Sequence, residues 1–161
     1  MTGFEDIFTA NAQYVKDFQS SALTGQATRG LAIVTCIDSR IAPLAIVGMQ
    51  PGDAKIIRNA GARVTDDVLR TLVLATHLLN VSRILVMPHT DCRMASGTEA
   101  EIHAAILEKS GVDTRSIEIR TVRDPLEALE IDLDRIRSFP LLAANIEVAG
   151  AIFNVGTGEL R

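Results

Sequence analysis

Short apolar runs alternate along this chain with longer stretches of helical spacing. Leu31-Ala32-Ile33-Val34, bounded by Gly30 and by polar residues, reads as a buried strand that ends at Cys36. Ala54-Lys55-Ile56-Ile57 reads as a second strand, 83–88 as a third, and 148–155, with Gly150 inside it, as a last. The segment 116–122 alternates weakly, with Ile117, Ile119 and Thr121 on one side and Glu118 and Arg120 on the other, and is expected to be a further strand. Helical spacing governs the rest. Phe4, Ile7, Phe8, Val15 and Phe18 share one face of a helix over 4–18. Thr65-Asp66-Asp67 caps the next helix, whose buried stripe runs through Val64, Val68, Leu72 and Leu79 and is widened by Leu69 and Val73. Thr98 and Glu101 form a capping box that opens a helix through about 109, closed by Ser110-Gly111. Asp124-Pro125-Leu126-Glu127 starts a last helix, which runs to about 138 before Phe139-Pro140 stops it.

Strand and helix in turn imply an α/β fold: a mainly parallel central sheet flanked by helices, with an N-terminal helical arm. Polar Ser20 to Gly30 is expected as a loop, 41–47 as a short helix and 48–53 as a turn. A chain of 161 residues holds one domain with a real core, so residues 1–161 are expected to form one unit, with 1–25 as the arm. That arm is aromatic. It carries Phe4, Phe8, Tyr14 and Phe18 of a chain with five Phe and one Tyr, and its stripe suits packing on its own domain or on a second subunit equally.

Composition narrows the partners. At 47% hydrophobic residues the chain is not disordered, and no apolar run is long enough for a membrane span. A formal charge of −4, without a Lys/Arg cluster, argues against nucleic acid. The start, Met1 to Asp6, lacks a basic segment followed by an apolar one, so a cytoplasmic protein is expected. In that reducing setting the two cysteines, Cys36 and Cys92, suit metal ligation better than a disulfide.

The chemistry gathers at two strand ends. Cys36-Ile37-Asp38-Ser39-Arg40 leaves the first strand, and Pro88-His89-Thr90-Asp91-Cys92 leaves the third. Ligands of open α/β sheets bind at that edge. Cys36, His89 and Cys92 are the candidate metal ligands; two sulfurs and one imidazole with an open fourth position suit zinc. Asp38 and Arg40, two residues apart, project to one side of an extended segment. They are either an ordinary ion pair or a functional dyad in which Asp38 accepts a hydrogen bond from the zinc water and Arg40 aims Asp38 and keeps it off the metal. His77 and His103, alone on their helices, read as structural.

Cys36-x-Asp38-Ser39-Arg40, Pro51-Gly52-Asp53, Arg58-Asn59-Ala60-Gly61 and His89-Thr90-Asp91-Cys92, in this order and spacing, resemble the β-class carbonic anhydrases over about 33–94. The resemblance implies Zn2+ on Cys36, His89 and Cys92, with Asp38–Arg40 as the dyad that gates and orients, and backbone at Ala60 and Gly61 lining the pocket. It implies reversible hydration of carbon dioxide to bicarbonate, no organic cofactor, a homodimer with the N-terminal helix lying across the partner, and often pairing of dimers into tetramers. The chain departs from the family's pattern at Arg93, where glycine is usual, at Pro88, and in having no tryptophan. Two other readings compete: a carbonyl sulfide or carbon disulfide hydrolase on the same scaffold, and a zinc-binding module without turnover. A nucleotide-binding domain is disfavoured because no Gly-rich phosphate loop follows the first strand.

Overall fold

The computed structural model describes residues 3–18 and 22–161. Its elements run α1 (Glu5–Asp17), β1 (Leu31–Cys36), α2 (Pro43–Ile46), β2 (Ala54–Asn59), α3 (Asp66–Leu78), β3 (Arg83–Met87), α4 (Glu99–Ser110), α5 (Pro125–Arg137) and β4 (Glu147–Gly150). The four strands form one parallel sheet in the order β2-β1-β3-β4. All six residues of β1 are buried, as a central strand covered on both faces requires.

The order of the strands explains where a site forms. From β1 the chain moves one way to β2, by way of α2; from β2 it crosses back over β1 to β3 by way of α3. Connections of one hand put helices on opposite faces when the direction reverses. Accordingly α3 and α5 pack against Ala32, Val34, Ile84 and Val86 on one face, whereas Leu44 and Ile46 of α2 pack with Ile33, Met49 and Met87 on the other. The reversal lies between β1 and β3, so the segments leaving their carboxyl ends diverge to opposite faces and leave a crevice.

Coverage of the two faces is unequal. Among the described residues, the 13-residue helices α3 and α5 share one face, and the four-residue α2 and loops cover the other. Helix α5 comes close because β4 has Gly150 there: a Cβ at that position would stand 2.9 Å from Leu129 Cδ1 and Leu133 Cδ1. The N-terminal helix α1 buries none of its residues. No helix among the described residues is long and apolar enough to cross a membrane.

The expected caps are present. Thr65 accepts from the Val68 amide, Thr98 and Glu101 form the reciprocal box, and Asp124 accepts from the amides of Leu126 and Glu127. Two expectations need correction. Residues 116–122 form no strand: Arg120 has a left-handed φ of 58°, and the amides of Ile119 and Arg120 point at the Glu99 carboxylate instead of a neighbouring strand. The last strand stops at Gly150, after which Phe153 makes isolated bridges to His89 and Leu160. At Arg93, where the family's pattern has glycine, the chain opens a three-residue 3-10 turn, and Arg93 is absent from the residues at positive φ. The start of the expected Ser20–Gly30 loop lies outside the described residues.

Candidate metal centre

Strand pairing places the ligand candidates. Thr35 of β1 is opposite Met87 of β3, so Cys36 leaves one strand where Pro88-His89 leaves the other. The Thr35 hydroxyl ties the pair by donating to the Met87 carbonyl at 2.7 Å. The donor atoms of Cys36, His89 and Cys92 all lie within 4.8 Å of one another. Both cysteines are free, with their sulfurs 4.0 Å apart.

The imidazole is set for ligation. His89 Nδ1 lies 2.8 Å from the Thr90 carbonyl, which can only accept, so the proton sits on Nδ1 and the lone pair on Nε2. That Nε2 is buried and has no hydrogen-bond partner, which makes it the one such side-chain atom among the described residues. A buried polar atom without a partner is costly unless something else meets it. Together with two thiols it fits a soft or borderline dication. Burial pushes the Cys92 thiol up, and the Cys36 sulfur and Asp38 add to that. A bound cation offsets that cost. The Gly61 amide donates to Cys36 Sγ at 3.4 Å. Gly61 has a φ of 80°, and Met94 would stand 3.3 Å from a Cβ there, so the amide reaches the sulfur through a position that disfavours side chains.

Asp38 and Arg40 meet, although not in an extended segment. Residues 37–40 turn, with the Arg40 amide donating to Asp38 Oδ1 at 2.9 Å and the Ile41 amide to the Asp38 carbonyl at 3.1 Å. The Arg40 guanidinium then takes Asp38 with two bonds, Nε to Oδ1 at 3.0 Å and Nη2 to Oδ2 at 2.7 Å. This fork holds the Asp38 carboxyl well below the usual carboxylate range, so it is an anion. Its Oδ2 stands 3.9 Å from His89 Nε2. Sequence reasoning gave no role to Arg58 or Asp91. Arg58 donates to the carbonyls of Cys36, Asp38 and Ile41 and so pins the turn after β1. Asp91 binds the far edge of Arg40. Both residues stood within motifs read from the sequence, but their roles were not legible there, because their partners are remote in the chain. His77 and His103 are structural, bonded to the Leu141 carbonyl and the Thr114 hydroxyl.

The family model for carbonic anhydrase matches residues 31–137. β-carbonic anhydrase 1 of Mycobacterium tuberculosis is 34% identical, over all of this chain and 98% of its own. The chain belongs to the β-class carbonic anhydrases. The crystal structure of carbonic anhydrase from Streptococcus mutans superposes on it with a TM-score of 0.91 and 37% identity, covering 100% of this chain and 97% of that one. Another relative, a carbon disulfide hydrolase from Acidianus, is 29% identical over 83% of this chain and 76% of its own. In this member of the family, three of the four motifs meet at the carboxyl ends of β1, β2 and β3, whereas Pro51-Gly52-Asp53 lies at the opposite edge, where Asp53 accepts from the Thr28 hydroxyl at 2.8 Å.

Proposed function

We propose that this chain is a zinc enzyme that catalyses the reversible hydration of carbon dioxide to bicarbonate and a proton. The observation that carries the reading is the partnerless His89 Nε2, which faces two thiols and has the Arg40-held Asp38 beside it. Cys36, His89 and Cys92 would hold the zinc, which supplies Lewis acidity that makes water a nucleophile near neutral pH. The chain's own groups do the rest. Two thiolates balance the dication, and the Gly61 amide tempers the charge on Cys36. Thr90 fixes the His89 tautomer. The anionic Asp38 accepts a hydrogen bond from water in the crevice and aims its lone pair at the substrate carbon. Arg40, which holds Asp38 Oδ2 at 2.7 Å, would keep that carboxylate off a bound metal. Backbone at Ala60 and Gly61 lines the substrate side.

We read residues 1–161 as one domain with 1–25 as an arm, working as a homodimer. The apolar face of α1 supports this: Phe4, Ile7, Phe8, Val15 and Phe18 are each more than half exposed in the single chain. A cavity of about 560 Å³ on the thinly covered face of the sheet, lined by Leu31, Met49 and Leu85 and also by Arg29, Arg83 and Glu147, offers a surface for such a helix. A reducing, cytoplasmic setting follows from the need for two free thiols.

Stopped-flow measurement of carbon dioxide hydration, with zinc assayed on the same sample, tests the reading. One zinc per chain and fast turnover are expected. The Acidianus relative favours a second reading, in which zinc is bound but carbon disulfide is the better substrate. Zinc with turnover on neither compound would leave a non-catalytic zinc module.

A further inference from the structure

Asp91 lies between two ligand positions, yet its oxygens serve neither of them. Asp91 Oδ2 accepts from Arg40 Nη1 at 2.7 Å, and its carbonyl accepts from Arg40 Nη2 at 3.0 Å. Both contacts fall on the edge of the guanidinium away from Asp38, whose carboxylate takes Nε and Nη2. Arg40 is therefore gripped from two sides by residues that leave different strands. Asp91 has a φ of 55°, a left-handed conformation that aspartate tolerates better than most side chains. In it, the carboxylate and the carbonyl of one residue reach the same guanidinium.

The grip matters because of what Arg40 restrains. Asp38 Oδ2 is 3.9 Å from His89 Nε2, yet Asp38 is not one of the three residues whose donor atoms cluster. Released from Arg40, the Asp38 carboxylate would be a candidate fourth ligand for a metal bound there. The Asp38–Arg40 pair is not sealed from water: the Arg40 side chain is 45% exposed. One exposed ion pair is a weak tether on its own. A guanidinium anchored on its far edge loses less freedom when it holds Asp38, so the tether is stiffer than the pair alone.

We propose that Asp91 is a positioning residue that fixes Arg40 from the end of β3 and thereby keeps Asp38 off the metal. This rests on the zinc reading above.

The test replaces zinc with cobalt(II), whose visible absorption reports the ligand set without any substrate. Wild type, Asp91→Ala, Asp91→Asn, Asp38→Asn and the double variant Asp38→Asn/Asp91→Ala are compared. Asp91→Ala is expected to retain one cobalt per chain and to show a changed spectrum as Asp38 reaches the metal. The change should vanish in the double variant, and Asp91→Asn, which retains an acceptor without the charge, should be intermediate. Carbon dioxide turnover by the zinc form of Asp91→Ala should fall roughly three- to ten-fold, the scale of one exposed charge pair. An unaltered Asp91→Ala spectrum overturns the proposal, as does a spectral change that persists in the double variant. Loss of cobalt in Asp91→Ala also overturns it, because Asp91 would then be holding the ligand loop itself. A wild-type protein that binds cobalt but turns over no carbon dioxide sinks the substrate reading alone, since the spectra still report on Asp91.

Discussion

At the scale of single residues, the site divides its labour cleanly. From His89 to Cys92 each position has its own partner: His89 faces the thiols, the Thr90 carbonyl accepts a hydrogen bond from the ring Nδ1, Asp91 grips Arg40, and Cys92 completes the cluster. Two substitutions separate metal binding from turnover. Cys92→Ser should lose zinc and activity together, because a hydroxyl is a poor ligand for this set; full zinc occupancy measured in that variant would remove Cys92 from the ligand set. Asp38→Asn should retain one zinc and lose activity by about 100-fold or more, the usual scale of a positioned proton acceptor. Loss of the metal instead would make Asp38 a structural ligand. The clustered Cys36, His89 and Cys92 were legible in the sequence because cysteine and histidine at strand ends are scarce and chemically specific. The role of Asp91 was not, because an aspartate's role depends on which distant cation it meets.

At the scale of elements, capping chemistry was readable and strand assignment only partly so. Thr65, Thr98 and Asp124 cap as their local patterns predict, since a cap needs only neighbours three residues away. The weak alternation of 116–122 misled because its amides have a better acceptor, the Glu99 carboxylate, in another element. That acceptor makes a pH prediction. The Ile119 amide, and after burial the Arg120 amide, are the main influences on the Glu99 carboxyl, whose net shift is below its ordinary value; His103, 3.6 Å away, lowers it further when charged. A group shifted downward on folding stabilises the fold above its unfolded value, here about 4.5, and loses that contribution as the pH falls through its folded value. Glu99→Ala should therefore melt below wild type at pH 5.5, with the gap closing toward pH 3. Thermal melts across that range check this, and a gap independent of pH would show that Glu99 does not act as an anion.

At the scale of the whole molecule, the decisive features are the strand order and the bare surfaces. Replacing Phe4 and Phe8 of α1 by serine should convert a dimer to a monomer in light scattering while leaving the fold intact by circular dichroism, because neither ring is buried in its own chain. A dimer that survives the change would show that α1 is not the contact. By itself the sequence determined most of the element types, the caps, the candidate ligand cluster and the α/β class, because each depends on periodicity, on near neighbours or on scarce side chains with one chemistry. Only the tertiary structure decided that β1 lies between β2 and β3, so that chains diverging from β1 and β3 open a crevice at the ligands. It also decided that Arg40 is held from both sides, that Glu99 claims the amides of a would-be strand, and that α3 and α5 share one face of the sheet. These outcomes depend on which remote segments come together, and no local pattern encodes a partner that is distant in the chain.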